Sequence, residues 1–411
     1  MYALLFADAG LSTARISTLF VIWSVVSFVF EVPSGAWADA WSRRRLYAIG
    51  AFLTAAGFAS WTFWPTYAGF ALGFVLWGLG GALCSGTLEA LLYEELGDGG
   101  AYARVAGRGG TVAILSMLAA TVLAAPSFAL GGYLLVGVLS VVVRGAGGCL
   151  ALGFHEAGPE REAGPERTDP DATSRAEMGL EGRAFGEAAR ETEPEETVRE
   201  EIVREGTACL ETAREEAAGR GYLMTLREGL GEVWGSRRVA WAVAIAALVP
   251  GFTALDEYLP LLSRAAGAPT AVVPLLFALP ALAMAVGSTL AGRWAQIGAP
   301  RLAAALVTAA ALLAGGALSG RLVGMLPVAL AFGILQFAII VTETRLQQSI
   351  TGAARATVLS VAGFASEVFA VLLYAVFGAG AAFASVPALF ALCALPLLAT
   401  AFAVRRHLPG S

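Results

Sequence analysis

Eleven apolar stretches, each close to the length a helix needs to cross a bilayer, dominate this sequence and leave it few possible folds. A hydrocarbon core about 30 Å thick takes roughly 20 residues at a helical rise of about 1.5 Å. The stretches fall near 16–37, 46–64, 68–92, 105–125 and 128–152, and after a polar interval near 239–262, 271–292, 302–320, 324–346, 356–378 and 383–404. Lipid offers backbone N–H and C=O groups no partner, so each stretch must satisfy its own hydrogen bonds. The chain is therefore expected to be an all-α multi-pass membrane protein. Only 14% of its residues are charged, where about 25% is usual in soluble domains.

That charge is segregated. Residues 155–238 hold 21 of the 32 acids but only 12 of the 27 basic residues, so the overall −5 comes from this interval. The expected organisation is an N-terminal transmembrane half (1–152), a polar linker (153–238) and a C-terminal transmembrane half (239–411). The linker opens on a direct repeat, Glu156-Ala-Gly-Pro-Glu-Arg161 then Glu162-Ala-Gly-Pro-Glu-Arg167, too polar to bury a core. Across 195–218 Glu and Arg recur at helical spacing, as at Glu200 and Arg204, which fits a solvated helix. Tyr222, Leu223, Leu226, Leu230, Val233 and Trp234 then form an apolar stripe suited to a membrane surface.

Arginine orients the spans. Arg43, Arg44, Arg45, Arg104, Arg108, Arg293, Arg301, Arg345, Arg355, Arg405 and Arg406 fall on one side of the alternating topology, and only Arg15, Arg264 and Arg321 on the other. By the positive-inside rule the arginine-rich side is cytoplasmic, and it receives the linker and the C-terminus of a protein expected in the cell membrane. Trp23, Trp61, Trp64, Tyr93, Trp241 and Tyr258 lie toward span ends and are expected as interface anchors. Trp77 lies deeper and could line a cavity, with packing against lipid or other helices as the default.

Several chemistries are excluded. The chain has no lysine, which removes P-loop and Schiff-base mechanisms. Cys84, Cys149, Cys209 and Cys393 are scattered, and His155 and His407 are the only histidines, so no metal site is expected. No cofactor, no enzymatic activity and no nucleic-acid partner are expected. The expected partners are the bilayer, a small-molecule substrate and protons, with the chain acting as a monomer.

Between the first two long spans runs Glu31-Val32-Pro33-Ser34-Gly35-Ala36-Trp37-Ala38-Asp39-Ala40-Trp41-Ser42-Arg43-Arg44-Arg45. Such a segment is expected to turn at the membrane surface, with Asp39 at the start of the following helix, where a carboxylate meets free backbone N–H groups. It resembles the loop between the second and third helices of major facilitator superfamily transporters. Ser85-Gly86-Thr87 with Ala90-Leu91-Leu92, and Arg355-Ala-Thr-Val-Leu-Ser360, extend the resemblance to nearly the whole chain outside the linker. Gly35 with Arg43 is echoed by Gly287 with Arg293, and Arg108 with Ser116 by Arg355 with Ser360, at nearly equal separations. That fits a duplication into parallel halves.

The resemblance implies two six-helix halves and secondary active transport by alternating access, with Gly35, Asp39, Arg43 and Arg44 as gating residues. Within the superfamily the chain is most similar to bacterial exporters, which implies proton-coupled efflux of a drug or metabolite. It lacks the Gly-Pro-x-x-Gly-Gly element of many drug antiporters in 105–125 and a basic residue near Phe70–Gly78. The first family helix corresponds here to a stub, Met1–Ala7, followed by Asp8-Ala9-Gly10-Leu11-Ser12 as an external loop. The chain is therefore expected to begin inside that helix.

Charges within spans need a reason, since each costs about 2.5–3.5 kcal/mol at a helix centre. Glu31, Glu89, Arg144, Glu343 and Glu367 qualify, with Asp256 and Glu257 near an outer end. Glu89 and Glu367 are the first candidates for proton coupling or substrate binding, and Glu89 and Glu343 are expected to face one another across a central cavity. Each has a plainer reading. Glu343 has Arg345 for a surface pair, Arg144 can snorkel, and Glu31 can bond backbone freed by Pro33. A uniporter or importer would not need Glu89 or Glu367 to ionise, and a non-transporting sensor would use the linker as its output.

Overall fold

A computed structural model describes residues 1–40, 42–85, 87, 99–153, 235–294, 296–350 and 355–408. The linker and Glu89 lie outside the described residues. The described secondary structure is helical throughout. A short α1 (Tyr2–Asp8) precedes α2 (Thr13–Ala40), α3 (Arg43–Phe63), α4 (Tyr67–Cys84) and α5 (Gly99–Ala151). Beyond the linker come α6 (Arg237–Gly251), a 3-10 segment (Phe252–Tyr258), α7 (Leu259–Ala265), α8 (Val273–Trp294) and α9 (Ala299–Leu318). A 3-10 turn (Leu322–Gly324) leads into α10 (Met325–Ser349), followed by α11 (Arg355–Gly380), α12 (Val386–Leu392) and α13 (Ala394–His407).

Ten described stretches are long and apolar enough to span a bilayer. One of them, Ser116–Ala151, supplies two crossings. Its parent helix α5 holds 53 residues, about 80 Å at helical rise, more than twice the hydrocarbon thickness. Gly131 and Gly132 break it, and Gly132 sits at φ +59°, a conformation that side chains with a Cβ rarely adopt. The chain folds back there, so Ala120, Leu123 and Ala124 face Val136, Leu139 and Val143 across one apolar crevice that Arg144 also borders. The expected boundary near Pro126 is thus corrected to Gly131–Gly132, with Pro126 inside the first arm.

The expected loop around Gly35 is corrected too. Helix α2 runs on through Pro33 and Gly35 to Ala40, so Asp39 lies in its last turn rather than at the start of α3. The cap of α3 is Ser42, whose hydroxyl accepts from the Arg45 N–H at 3.3 Å. Thr66 and Ser236 cap α4 and α6 in the same way. Hydroxyls inside spans bond back to carbonyls four residues earlier, as Thr121 does to Met117 at 2.8 Å and Thr308 to Ala304 at 3.0 Å. That conceals them from lipid.

Met1–Glu156 and Glu228–Ser411 form one compact unit. In it α2 packs on α4 and α11, α3 on α4 and α5, α8 on α10 and α5, and α9 on α10 and α13. Small residues permit the closest approaches. At Gly287 a Cβ would be driven into the Gly333 carbonyl oxygen, so α8 and α10 meet backbone to backbone. Outward-facing Leu130, Val143, Leu150 and Val376 are exposed, as a lipid-facing belt requires.

Candidate functional site

Four elements enclose a cavity of about 360 Å³ in the bundle. Helix α2 supplies Trp23, Ser24, Ser27, Phe28 and Glu31; the end of α6 supplies Pro250 and Gly251. The 3-10 segment supplies Thr253, Ala254, Asp256 and Glu257, and α11 supplies Ser366, Glu367, Ala370 and Tyr374. The cavity lies where helices from before the linker meet helices from after it.

Its wall is acidic. Glu31, Asp256, Glu257 and Glu367 line it, and among the described residues no arginine or histidine does. Glu367 stands near the middle of α11 and feels the charge of Glu31 across the cavity. Neither carboxylate has a hydrogen-bond donor or ion-pair partner among the described residues. Glu257 is different, since it accepts a short hydrogen bond from the Tyr2 hydroxyl, which reaches it from α1. Among the described residues no group of three His, Cys, Asp or Glu side chains is placed to hold a metal ion.

Two sequence candidates converge here, Glu31 and Glu367. Glu31 lines the cavity, and it is the Ser34 hydroxyl, not the Glu31 carboxylate, that bonds to the backbone beside Pro33, donating to the Glu31 carbonyl at 2.8 Å. Glu343 does not line the cavity. It is exposed on α10, while the neighbouring Arg345 is buried and donates to the Ile297 carbonyl, so the expected surface pair between them is corrected. Arg43 and Arg44 open α3, partly buried at the far end of α2 from Thr13.

Asp256 and Glu257 were legible only as charges near a span end. Pro250 interrupts the continuous 239–262 stretch, and the 3-10 segment after it turns both acids inward. The paired acids five residues beyond a Pro-Gly step were the available signal. The tryptophans needed a larger correction. Trp61 is 4% exposed and donates its indole N–H to the Phe70 carbonyl at 3.0 Å. It packs with Tyr2, Phe6, Phe74 and Trp77 in one aromatic cluster, and Trp23 stacks on Trp77 at 5.0 Å and 19°. Trp64 remains exposed, as an anchor should be, and Trp241 stacks on His407 at 4.0 Å.

Above the cavity, toward the α1–α2 turn, the bundle is plugged. Tyr258 is fully buried, stacks on Phe377 at 3.9 Å and donates to the Ser17 hydroxyl at 2.7 Å. Farther out, Arg264 makes a two-pronged ion pair with Asp8, at 2.6 Å and 3.0 Å, and the Tyr133 hydroxyl donates to the same carboxylate. Partial burial pushes the Asp8 carboxyl up, but the Arg264 and Tyr133 hydrogen bonds outweigh it and hold it below the usual range. This clasp joins α1 and the α5 turn to α7, and it accounts for one of the three arginines on the arginine-poor side.

A profile described as Major Facilitator Superfamily matches residues 1–373. Among solved structures, the nucleoside transporter NupG aligns with a TM-score of 0.63 at 12% identity, covering 97% of this chain and 91% of that one. A D-xylose-proton symporter gives 0.60 at 15% identity, over 98% and 91%. The peptide transporter POT gives 0.59 at 14% identity, over 96% and 86%. No curated protein matches the sequence.

Proposed function

We propose, from the premise that this chain belongs to the major facilitator superfamily, that it is a proton-coupled secondary transporter exporting a small molecule through the acidic cavity. The observation that carries this reading is Glu367, a mid-span carboxylate facing Glu31 with no donor to neutralise it among the described residues. A carboxylate held without a counter-cation inside a membrane bundle favours taking up positive charge, and a proton is the smallest carrier of it.

Alternating access then requires the halves 1–152 and 239–411 to rock about the cavity, with 153–238 tethering them on the cytoplasmic side. The Tyr258 plug and the Asp8–Arg264 clasp support an outer gate that closes in this conformation. Gly35, Asp39, Arg43 and Arg44 stand at the opposite end of α2, as an inner gate would. Glu89 keeps its place as a second coupling candidate. Likeness to a proton symporter favours inward coupling as the second reading.

Inverted membrane vesicles loaded with a pH-sensitive dye test the proposal. After energisation, a transported solute is expected to dequench the dye, and Glu367→Gln is expected to abolish the response while leaving expression intact. Dequenching undiminished in Glu367→Gln would remove this residue from coupling. A response of opposite sign would establish symport.

A further inference from the structure

We infer that the cavity is shaped for an organic cation, an amine or quaternary ammonium on an apolar or aromatic body. The inference rests on the transporter reading above. Its first ground is the sign of the wall: among the described residues, four carboxylates and no basic side chain line the cavity. A carboxylate- or phosphate-bearing solute would meet like charge from Glu31, Asp256 and Glu367.

The second ground is the spacing of the acids. They come from α2, the 3-10 segment and α11, and no three described ligands gather as a metal ion needs. Dispersed carboxylates suit a solute whose charge sits on a larger body. About 360 Å³ is within the usual range of small-molecule sites, roughly 300–1,000 Å³.

Tyr374 is the third ground, and it is independent of the acids. It is only 3% exposed, lines the cavity and lies in the field of Asp256, Glu257 and Glu367. Its hydroxyl makes no hydrogen bond among the described residues. That hydroxyl opens onto the cavity, where it offers an oxygen that an ammonium N–H can donate to. Trp23, braced by Trp77, adds an aromatic wall that attracts cations. Exchange of one cation for one proton also leaves the charge of the cavity unchanged.

The test uses the full chain in lipid nanodiscs, titrated calorimetrically with tetramethylammonium, benzyltrimethylammonium and phenethylammonium. Benzenesulfonate and benzyl alcohol serve as anionic and neutral counterparts. At least one cation is expected to bind, and neither counterpart. The double variant Glu31→Gln, Glu367→Gln is expected to weaken cation binding about tenfold or more. Tyr374→Phe should weaken phenethylammonium about tenfold yet spare benzyltrimethylammonium, which has no N–H to offer. The inference is overturned if no cation binds, if a counterpart binds as tightly, or if the double variant binds cations undiminished. Proton-coupled flux of a neutral or anionic solute would overturn it while leaving the transporter reading intact. Cation binding without any proton coupling would do the reverse.

Discussion

Tyr2 shows how much one side chain can hold together: its ring packs against Phe6, Phe20, Trp61, Phe74 and Trp77 while its hydroxyl donates to Glu257. Tyr2→Phe keeps the ring and removes the donor, so a destabilisation of about 1–3 kcal/mol is expected, read as a lower melting temperature in detergent. Gly287→Val should cost about 1–3 kcal/mol or more, because backbone rather than a flexible side chain occupies the space its Cβ would enter. A melting curve unchanged from the parent would contradict the close α8–α10 contact. At this scale the sequence was informative where charge stood against lipid. Glu31 and Glu367 were legible because nothing apolar explains them. Asp256 and Glu257 were not, since their direction depends on a 3-10 turn that no periodicity announces. Trp61 is buried where an interface anchor is expected, because depth along a span says nothing about facing, whereas Trp77 packs between helices as its deeper position implies.

At the scale of elements the proposed outer gate can be tested. The clasp joins the end of α1 to α7 through an ion pair whose side chains are 41% and 32% exposed, so its direct contribution is at most about 1 kcal/mol. Its pH dependence has a definite sign. The Asp8 carboxyl is held below its ordinary value of 3.8, so the contribution is complete above that value and is lost as pH falls through the folded-state value. Asp8→Asn should therefore melt slightly below the parent at neutral pH, and the gap should close in acid below about pH 4. A gap that widens on acidification would contradict the ion pair. Most helices could be read from length and hydropathy alone, because lipid permits little else. Their ends were harder. The expected break between residues 125 and 128 falls instead at Gly132, where the backbone demands a residue without a Cβ, and Pro126 is carried inside the helix despite its missing N–H. Asp39 was taken for a cap, but α2 continues past Pro33 and leaves that role to Ser42.

For the whole molecule, the proposed alternating access requires that the plugged end open once per cycle. Asp8→Cys with Arg264→Cys, oxidised to a disulfide, should hold that end shut, stop turnover in vesicles and release it again on reduction. Transport that continues through the oxidised state would place the gate elsewhere. The identity of the superfamily was legible from a few Gly, Asp and Arg positions, whereas the chemistry of the cavity emerged only when α2, α6 and α11 were brought together. The stacked pair of Trp23 and Trp77 adds an optical consequence. One indole forms the cavity wall and stacks on a second that is half-buried against the core, so the emission of the pair is tied to whatever enters the cavity. A bound cation should quench it and an opening of the plug should shift its colour, with Trp23→Phe erasing both signals. The protein thus carries its own lamp, and its working cycle can be followed without attaching a dye.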